Sequence, residues 1–328
     1  MQAIYFEKSG LENLKFGDFK EPEVGPHDVL IKVVMAGVNP IDYFVVNFLP
    51  VQPMPHVPGA EVAGVVEKVG DHVKRFQKGD RVVVYNRLFD GTCDLCLSGK
   101  EQLCRNGGII SVVTNGGFAE YLSVPEKNLV KLPESVSWEV AASLPVAGLT
   151  PFHALREANV GFGKTVVVFG ASGNTGMIAL QLAKMMGAKV VAVSSKPWVK
   201  EFADHVFSYS EVEEGVKKVT EGRGADVVVN SVGGDLWAKS LSVLSPGGTM
   251  VFFGGLTAQK AEVELGSIYG REIKVVGTTG GTRYELEQLV KIPLKMKVWK
   301  EFKLSEGKEA IGSLFGKERD GRIMLRVS

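Results

Sequence analysis

A chain of 328 residues is long for one hydrophobic core, so two domains are expected. Lysine and arginine (38) nearly balance aspartate and glutamate (37), and the resulting net charge of +1 argues against a nucleic acid or another polyanion as the main partner. No basic stretch followed by an apolar run opens the sequence, and no apolar run reaches the ~18 residues of a membrane helix, so a soluble cytosolic protein without a membrane partner is expected. The three cysteines, all within residues 93–104, cannot build a disulfide framework, which fits the same setting.

In chain order, residues 1–135 read as β-rich. IYF, VLIKVVMAG, AEVAGVVEKVG, DRVVVYN and FAEYLSV are apolar or alternating runs separated by GPHD, NP, VGDH and KGD. An antiparallel, barrel-like domain follows from that texture. Near Ser137 the pattern changes to a helical stretch, SWEVAASLPVAGLTPFHALREA, which leads into KTVVVFGASGNTGMIALQLAKMMGAKVVAVSS. Strand, glycine loop, helix and strand then repeat through DVVVNSVGG, LWAKSLSVL, GTMVFFGG and IKVVGTT, which predicts a doubly wound parallel sheet. After about Gly277 the β texture returns with helix YELEQLVKI, strand VWKEF, helix EGKEAIGSLF and strand GRIMLRV. These boundaries put residues 1–146 and 277–328 in one domain and 147–276 in an inserted nucleotide domain, with a cleft expected between them.

Gly170, Gly173 and Gly176 follow the apolar strand Val166–Phe169 and open an apolar-periodic helix. That context suits a dinucleotide: glycines let the pyrophosphate approach, and the helix-start N–H groups bind it. Gly170, Ser172, Gly173, Asn174, Thr175 and Gly176 are the loop candidates; the plainer reading is a βα turn without a ligand. The second strand ends in Ser194, Ser195 and Lys196, where an acid would select NAD through the ribose 2′-hydroxyl. Two hydroxyls and a cation instead favour the 2′-phosphate of NADPH, unless Lys196 is an ordinary surface lysine. Ser231 and Val232, then Gly254, Gly255 and Leu256, then Gly277 and Thr278 end further strands, where ligands of such sheets bind.

AGVNPIDY, VPGAEVAGVVEKVG, the cysteine segment, GLTPFHAL, GASGNTG and GRIMLRV together resemble the medium-chain dehydrogenase/reductase superfamily over nearly the whole chain. The resemblance implies a GroES-like β-barrel domain plus a Rossmann-type domain. AGVNP and the glycine loop look like the quinone-oxidoreductase branch; the cysteine lobe looks like the zinc alcohol dehydrogenase branch. In that lobe the four cysteine positions of the family read Asp90, Cys93, Cys96 and Cys104 here. A carboxylate with three thiolates still closes a tetrahedron, so the resemblance implies one structural Zn²⁺ per chain. A thioredoxin-like Cys93/Cys96 couple and a metal-free remnant are the alternatives.

The family's catalytic zinc ligands fall instead on Asn39, Ala60 and Val146, leaving only the neighbouring acid Glu61. Alanine and valine cannot ligate, and His56 and Asp42 sit at unmatched positions, so no catalytic zinc is expected. Zinc supplies on the order of several kcal/mol to a developing alkoxide. Without it, an enone, quinone or enoyl thioester is the easier acceptor, because the charge spreads as an enolate that hydrogen-bond donors can stabilise. Asn39 and Tyr43, in NPIDYFVVNF, and Thr150, matched to a family threonine near the nicotinamide, are the catalytic candidates. Asn39 could alternatively hold the turn before Pro40, and Tyr43 could be core. Asp42 is expected to cap or hydrogen-bond within its loop, and His153 to be packed. The resulting expectation is an NADPH-dependent reductase of a small-molecule conjugated acceptor. A zinc-type alcohol or ketone dehydrogenase and a non-catalytic nucleotide-binding sensor are the rivals. The resemblance also implies a homodimer or homotetramer, with GTMVFFGG and EIKVVG as candidate edge strands.

Overall fold

A computed structural model describes all residues 1–328. The chain begins with β1 (Gln2–Tyr5), β2 (Lys15–Asp18), β3 (Asp28–Gly37), α1 (Pro40–Asn47), β4 (Val62–Val69), β5 (Arg81–Val84) and β6 (Arg87–Leu88). It continues with α2 (Asp94–Leu97), β7 (Gly108–Ile109), β8 (Tyr121–Pro125), β9 (Leu129–Lys131) and α3 (Trp138–Ala141). Then come α4 (Leu149–Glu157), β10 (Thr165–Phe169), α5 (Asn174–Met185), β11 (Lys189–Val193), β12 (His205–Phe207), α6 (Val212–Val219) and β13 (Ala225–Asn230). The rest is α7 (Trp237–Ser242), β14 (Leu244–Phe252), α8 (Leu265–Tyr269), β15 (Lys274–Gly277), α9 (Arg283–Leu289), β16 (Val298–Lys303), α10 (Gly307–Gly312) and β17 (Arg322–Arg326).

Two compact units result: Met1–Leu149 with Gly281–Ser328, and Thr150–Gly280. The first is built on a sheet in the order β16-β17-β3-β4-β5-β9, with β8 also pairing β3. All its pairs are antiparallel except β16 with β17. Ile31, Val33, Val62, Val66, Val82, Val84, Phe118 and Leu325 fill its core, which spans both the N-terminal and C-terminal segments of the chain. The second unit is an all-parallel sheet in the order β12-β11-β10-β13-β14-β15. That order is the one of a dinucleotide-binding sheet, and it reverses direction between β10 and β13. All five residues of β10, TVVVF, are buried, as a central parallel strand covered on both faces requires.

Three sequence expectations change. GTMVFFGG is not an edge: its strand, β14, lies between β13 and β15, and the edges of the sheet are β12 and β15. The segment SWEVAASLPVAGLTPFHALREA is not one helix, because a wide helical turn, Leu144–Gly148, separates α3 from α4 around Pro145. NPIDYFVVNF is mostly helix rather than loop. Pro40 presets the first turn, and the Asp42 carboxylate accepts the Asn39 N–H at 2.8 Å, so the helix start is satisfied locally.

Candidate functional site

In the barrel unit, the residues at the family's catalytic-metal positions are tied together by two buried carboxylates. Asp42 accepts the backbone N–H groups of Asn39 (2.8 Å) and Ala60 (3.0 Å). Glu61 accepts the backbone N–H groups of Val146 (2.7 Å) and Ala147 (2.8 Å) on one oxygen, and the Asn39 side-chain amide (2.6 Å) on the other. Arg322, from β17, pairs with Glu61 and donates to the Asn39 side-chain oxygen at 3.1 Å. Asp42, Glu61 and Arg322 are 0 % exposed and Asn39 2 %. A side chain at Gly37 would run into the Arg322 guanidinium and the Ala142 carbonyl, so the end of β3 must be glycine for this hub to close.

The hub gives Asn39 a different job from the expected substrate donor. Its amide also reaches the Gly37 carbonyl at 3.3 Å, so its donors are spent inside the protein. Burial, with the adjacent Glu61 charge, pushes the Asp42 carboxyl up to about 7, against the opposing pull of the two N–H bonds and Arg322. His56 is fully buried, with its ring nitrogens 3.1 and 3.0 Å from the Pro53 and Ser111 carbonyls, and burial lowers its pKa. Tyr43 is half-buried, its ring edge-on to Phe315 at 5.1 Å and to Phe48 at 6.0 Å. Arg322, the cation of the hub, escaped the sequence reading. Its only signal was an arginine opening a strand whose next three residues are apolar.

In the parallel-sheet unit, Gly170 has φ +68°, which favours glycine, and its carbonyl accepts the Gly173 N–H at 2.9 Å. A side chain at Gly176 would strike that same carbonyl, and one at Gly170 would lie 2.7 Å from Val232. Gly173 caps α5, whose first N–H groups have no partner within the helix. Ser172 and Thr175 are half-buried and Asn174 is buried. Ser231 Oγ reaches back to the Phe169 carbonyl at 3.4 Å, so it sits where β10 and β13 diverge. The Ser194 hydroxyl, buried, accepts the Lys196 N–H at 3.0 Å and so shapes that turn; Ser195 is exposed. Gly254, Gly255 and Thr278 line a cavity of about 490 Å³ with Trp237, Phe252 and Lys260. Leu256 and Gly277 are exposed beyond it, and Thr150 is half-buried in the first turn of α4.

The cysteine lobe gathers its four predicted ligands. The donor atoms of Asp90, Cys93, Cys96 and Cys104 all lie within 4.8 Å of one another, and Cys93 Sγ is 3.9 Å from Cys104 Sγ. Zn–S bonds of ~2.3 Å in a tetrahedron separate the sulfurs by about 3.8 Å, so the spacing fits the ion. Backbone N–H groups of Cys93 and Thr92 and the Asn106 amide hold the Asp90 carboxyl far below the usual range, keeping it the anion a metal needs. Donors from the Arg105 and Cys96 backbones lower Cys93 likewise. One Asp90 oxygen takes two of these hydrogen bonds and the other takes one, which leaves the second oxygen a lone pair for coordination.

Residues 25–134 match the family model described as alcohol dehydrogenase GroES-like domain, and residues 175–294 the one described as zinc-binding dehydrogenase. An NAD-dependent alcohol dehydrogenase of Sulfolobus acidocaldarius is 31 % identical, with 100 % of both chains covered. An acryloyl-coenzyme A reductase of Metallosphaera sedula is 34 % identical over 91 % of this chain and 90 % of that protein. A cobalt- and zinc-bound thermostable alcohol dehydrogenase from Pyrobaculum aerophilum superposes with a TM-score of 0.92 at 38 % identity, covering 100 % of this chain and 99 % of that one. The chain belongs to the medium-chain dehydrogenase/reductase superfamily and is an oxidoreductase of that fold.

Proposed function

We propose that this protein is an NADPH-dependent reductase that transfers hydride to a conjugated carbonyl, quinone or enoyl acceptor without a catalytic metal. The hub around Glu61 is the observation that carries the reading. A methyl group at Ala60 and an isopropyl group at Val146 offer no metal lone pair, and the Asn39 amide is already bonded to Glu61. A conjugated acceptor suits such a site, because its enolate needs only hydrogen-bond donors. The Metallosphaera relative named for acryloyl-coenzyme A is in keeping with that chemistry.

NADPH, when bound, supplies the hydride. The glycine loop from Gly170 to Gly176 and the first N–H groups of α5 hold its pyrophosphate. Ser195 and Lys196, on the turn that Ser194 fixes, take the 2′-phosphate, and the missing acid at the end of β11 removes the group that would repel it. Ser231, Val232, Gly254, Gly255, Leu256, Gly277 and Thr278 border the rest of the nucleotide, with Thr150 toward the nicotinamide. Asp90, Cys93, Cys96 and Cys104 hold one zinc ion. With four protein ligands the ion keeps no position for substrate, so its work is structural. A second copy joined along the unpaired edge of β15 gives the dimer or tetramer that the family resemblance implies, which sedimentation of the purified protein checks.

One assay panel tests the reading: oxidation of NADPH and NADH against enones, quinones, enoyl-CoA esters and simple ketones, with metal analysis of the same sample. Turnover of a conjugated acceptor with NADPH preferred, and one zinc per chain, is expected. The alcohol dehydrogenase reading, favoured by the likeness to the Pyrobaculum enzyme, predicts alcohol oxidation lost to a chelator and restored by zinc without any change in folding. That result would overturn the proposal.

A further inference from the structure

Two turns of the barrel unit bring two histidines together at its surface. We propose that His27 and His72 form a second metal site, a chelate in which His27 Nε2 and His72 Nδ1 bind one divalent transition-metal ion of the zinc class. The site lies wholly within one unit and does not depend on the reaction proposed above.

The sequence carries the pair in GPHD and VGDH, two turn signals. GPHD runs into β3 and VGDH leaves β4. These strands are antiparallel and Val29 pairs with Val69, so the entry to one lies beside the exit from the other. The turns also bond to each other. The His72 N–H donates to the Pro26 carbonyl at 2.8 Å, and the Gly70 N–H to the Asp28 carbonyl at 2.9 Å. A side chain at Gly70 would strike the Gly25 and Pro26 carbonyls, so glycine there permits the approach. Each turn is closed within itself, by Asp28 N–H to the Gly25 carbonyl and by Val73 N–H to the Gly70 carbonyl, both at 3.0 Å. The His27 carbonyl in turn accepts the Glu126 N–H at 2.9 Å. Both histidines therefore project, exposed, from pinned backbone, as a preorganised site requires.

The spacing of the rings suits an ion. His72 Nδ1 lies 3.2 Å from His27 Nε2, with the ring planes 61° apart. Zn–N bonds of ~2.0 Å at the tetrahedral angle separate two nitrogens by about 3.3 Å. A square-planar ion with bonds of that length would need about 2.9 Å. Without an ion, one ring donates to the other over a long, exposed contact for which water competes, so the hydrogen bond alone contributes little. Neither ring has another partner in the protein. With an ion, each neutral ring keeps its one N–H on the outer nitrogen, His27 Nδ1 or His72 Nε2, and turns a lone pair inward. The proton between the rings moves to the far side of its own ring, and none is gained or lost.

The chain supplies no third ligand here, since the cysteine lobe is its only cluster of three or more. The ion keeps positions for water, and two ligands hold it more loosely than the four of the lobe. It leaves on dialysis, and the purified protein retains the lobe ion alone.

The test titrates Zn²⁺ into dialysed full-length protein at neutral pH and follows both bound metal and the histidine ring resonances. Wild type should take up one ion beyond any it retains, and the rings of His27 and His72 should shift while those of His56, His153 and His205 stay in place. His27→Gln and His72→Gln should each weaken this binding at least about 10-fold, since even the groups that orient a metal's ligands are worth 10–100-fold. Both variants should keep the wild-type urea midpoint, because the side chains are exposed. His205→Gln, in the other unit, should bind as wild type does. The readout is the difference between wild type and variants, so it stands whether or not the lobe holds zinc. No additional ion at millimolar zinc overturns the proposal and leaves the two rings as a hydrogen-bonded pair. Additional binding that both glutamine variants retain overturns it by placing the ion elsewhere.

Discussion

Asp42 shows how one buried side chain can set a pH response. In the fold it keeps its proton up to about pH 7, against 3.8 for an ordinary aspartate. Between those values the folded chain binds more protons than the unfolded chain, so the contribution of Asp42 to stability is present at the acid end and is lost as pH rises toward 7. Asp80, Asp90 and Asp204 have lowered values and act below about pH 4, outside that window. His56, lowered by burial, opposes Asp42 near the upper end, since a base depressed in the fold favours folding as pH rises. Comparison with Asp42→Asn isolates the effect. Across urea titrations from about pH 4.5 to pH 7.5, wild type should lose stability relative to the variant by on the order of a few kcal/mol. A constant difference would refute the raised value. The sequence showed that Asp42 belonged to a local hydrogen-bonded turn, and that much is legible in NPID. It could not show full burial, which depends on Glu61 and on an arginine far along the chain. The same distance hid the fate of Asn39: its carbonyl partner, Arg322, lies 283 residues away.

At the scale of elements, legibility followed locality. The glycine loop and the lobe are runs of neighbouring residues, and their local geometry, a glycine turn opening α5 and a cluster of four potential ligands, was readable from spacing. The edge of the parallel sheet was not, because strand order there is not sequence order, and nothing within GTMVFF shows that β15 lies outside it. The helical stretch after Ser137 failed for a related reason. Its apolar periodicity is continuous, but the Val146 and Ala147 N–H groups turn to Glu61 instead of to a helix carbonyl, and the chain widens to let them. The lobe itself has almost no core. Of residues 89–107 only Gln102 is buried, and the bordering strands β6 and β7 have two residues each. An element so poor in apolar burial would depend on the zinc proposed for it. Treatment with a strong chelator should therefore release one zinc per chain and speed amide exchange at Leu97, Ser98 and Cys104, whose N–H groups bond within the lobe. Amides of β3 and β4 should keep their protection. Loss of protection throughout the barrel, or none in the lobe, would show that the ion has another role.

On the scale of the molecule, the barrel unit closes only when the chain returns to it. Its sheet holds β3, β4 and β5 from the first part of the sequence and β16 and β17 from the last, and β17 pairs β3 through Met324, Leu325 and Arg326. Arg322 opens β17 and delivers its charge to Glu61, 261 residues earlier, so the last strand both completes the sheet and locks the hub. Such a pair need not stabilise the fold in absolute terms, since desolvating two charges consumes much of their attraction. Its members should nevertheless be strongly interdependent. Glu61→Gln leaves the Arg322 guanidinium buried without a counter-charge, at a cost of about 3–5 kcal/mol. Arg322→Met is milder, because Glu61 keeps three N–H donors, from Val146, Ala147 and the Asn39 amide, and so is not left without partners. The double variant removes both charges together. Its loss, measured by urea unfolding at neutral pH, should fall short of the sum of the single losses by on the order of 2 kcal/mol. Additive losses would mean that the two side chains are separately buried rather than coupled, and that the C-terminal strand is held to the barrel by its sheet pairing and apolar face without help from the ion pair.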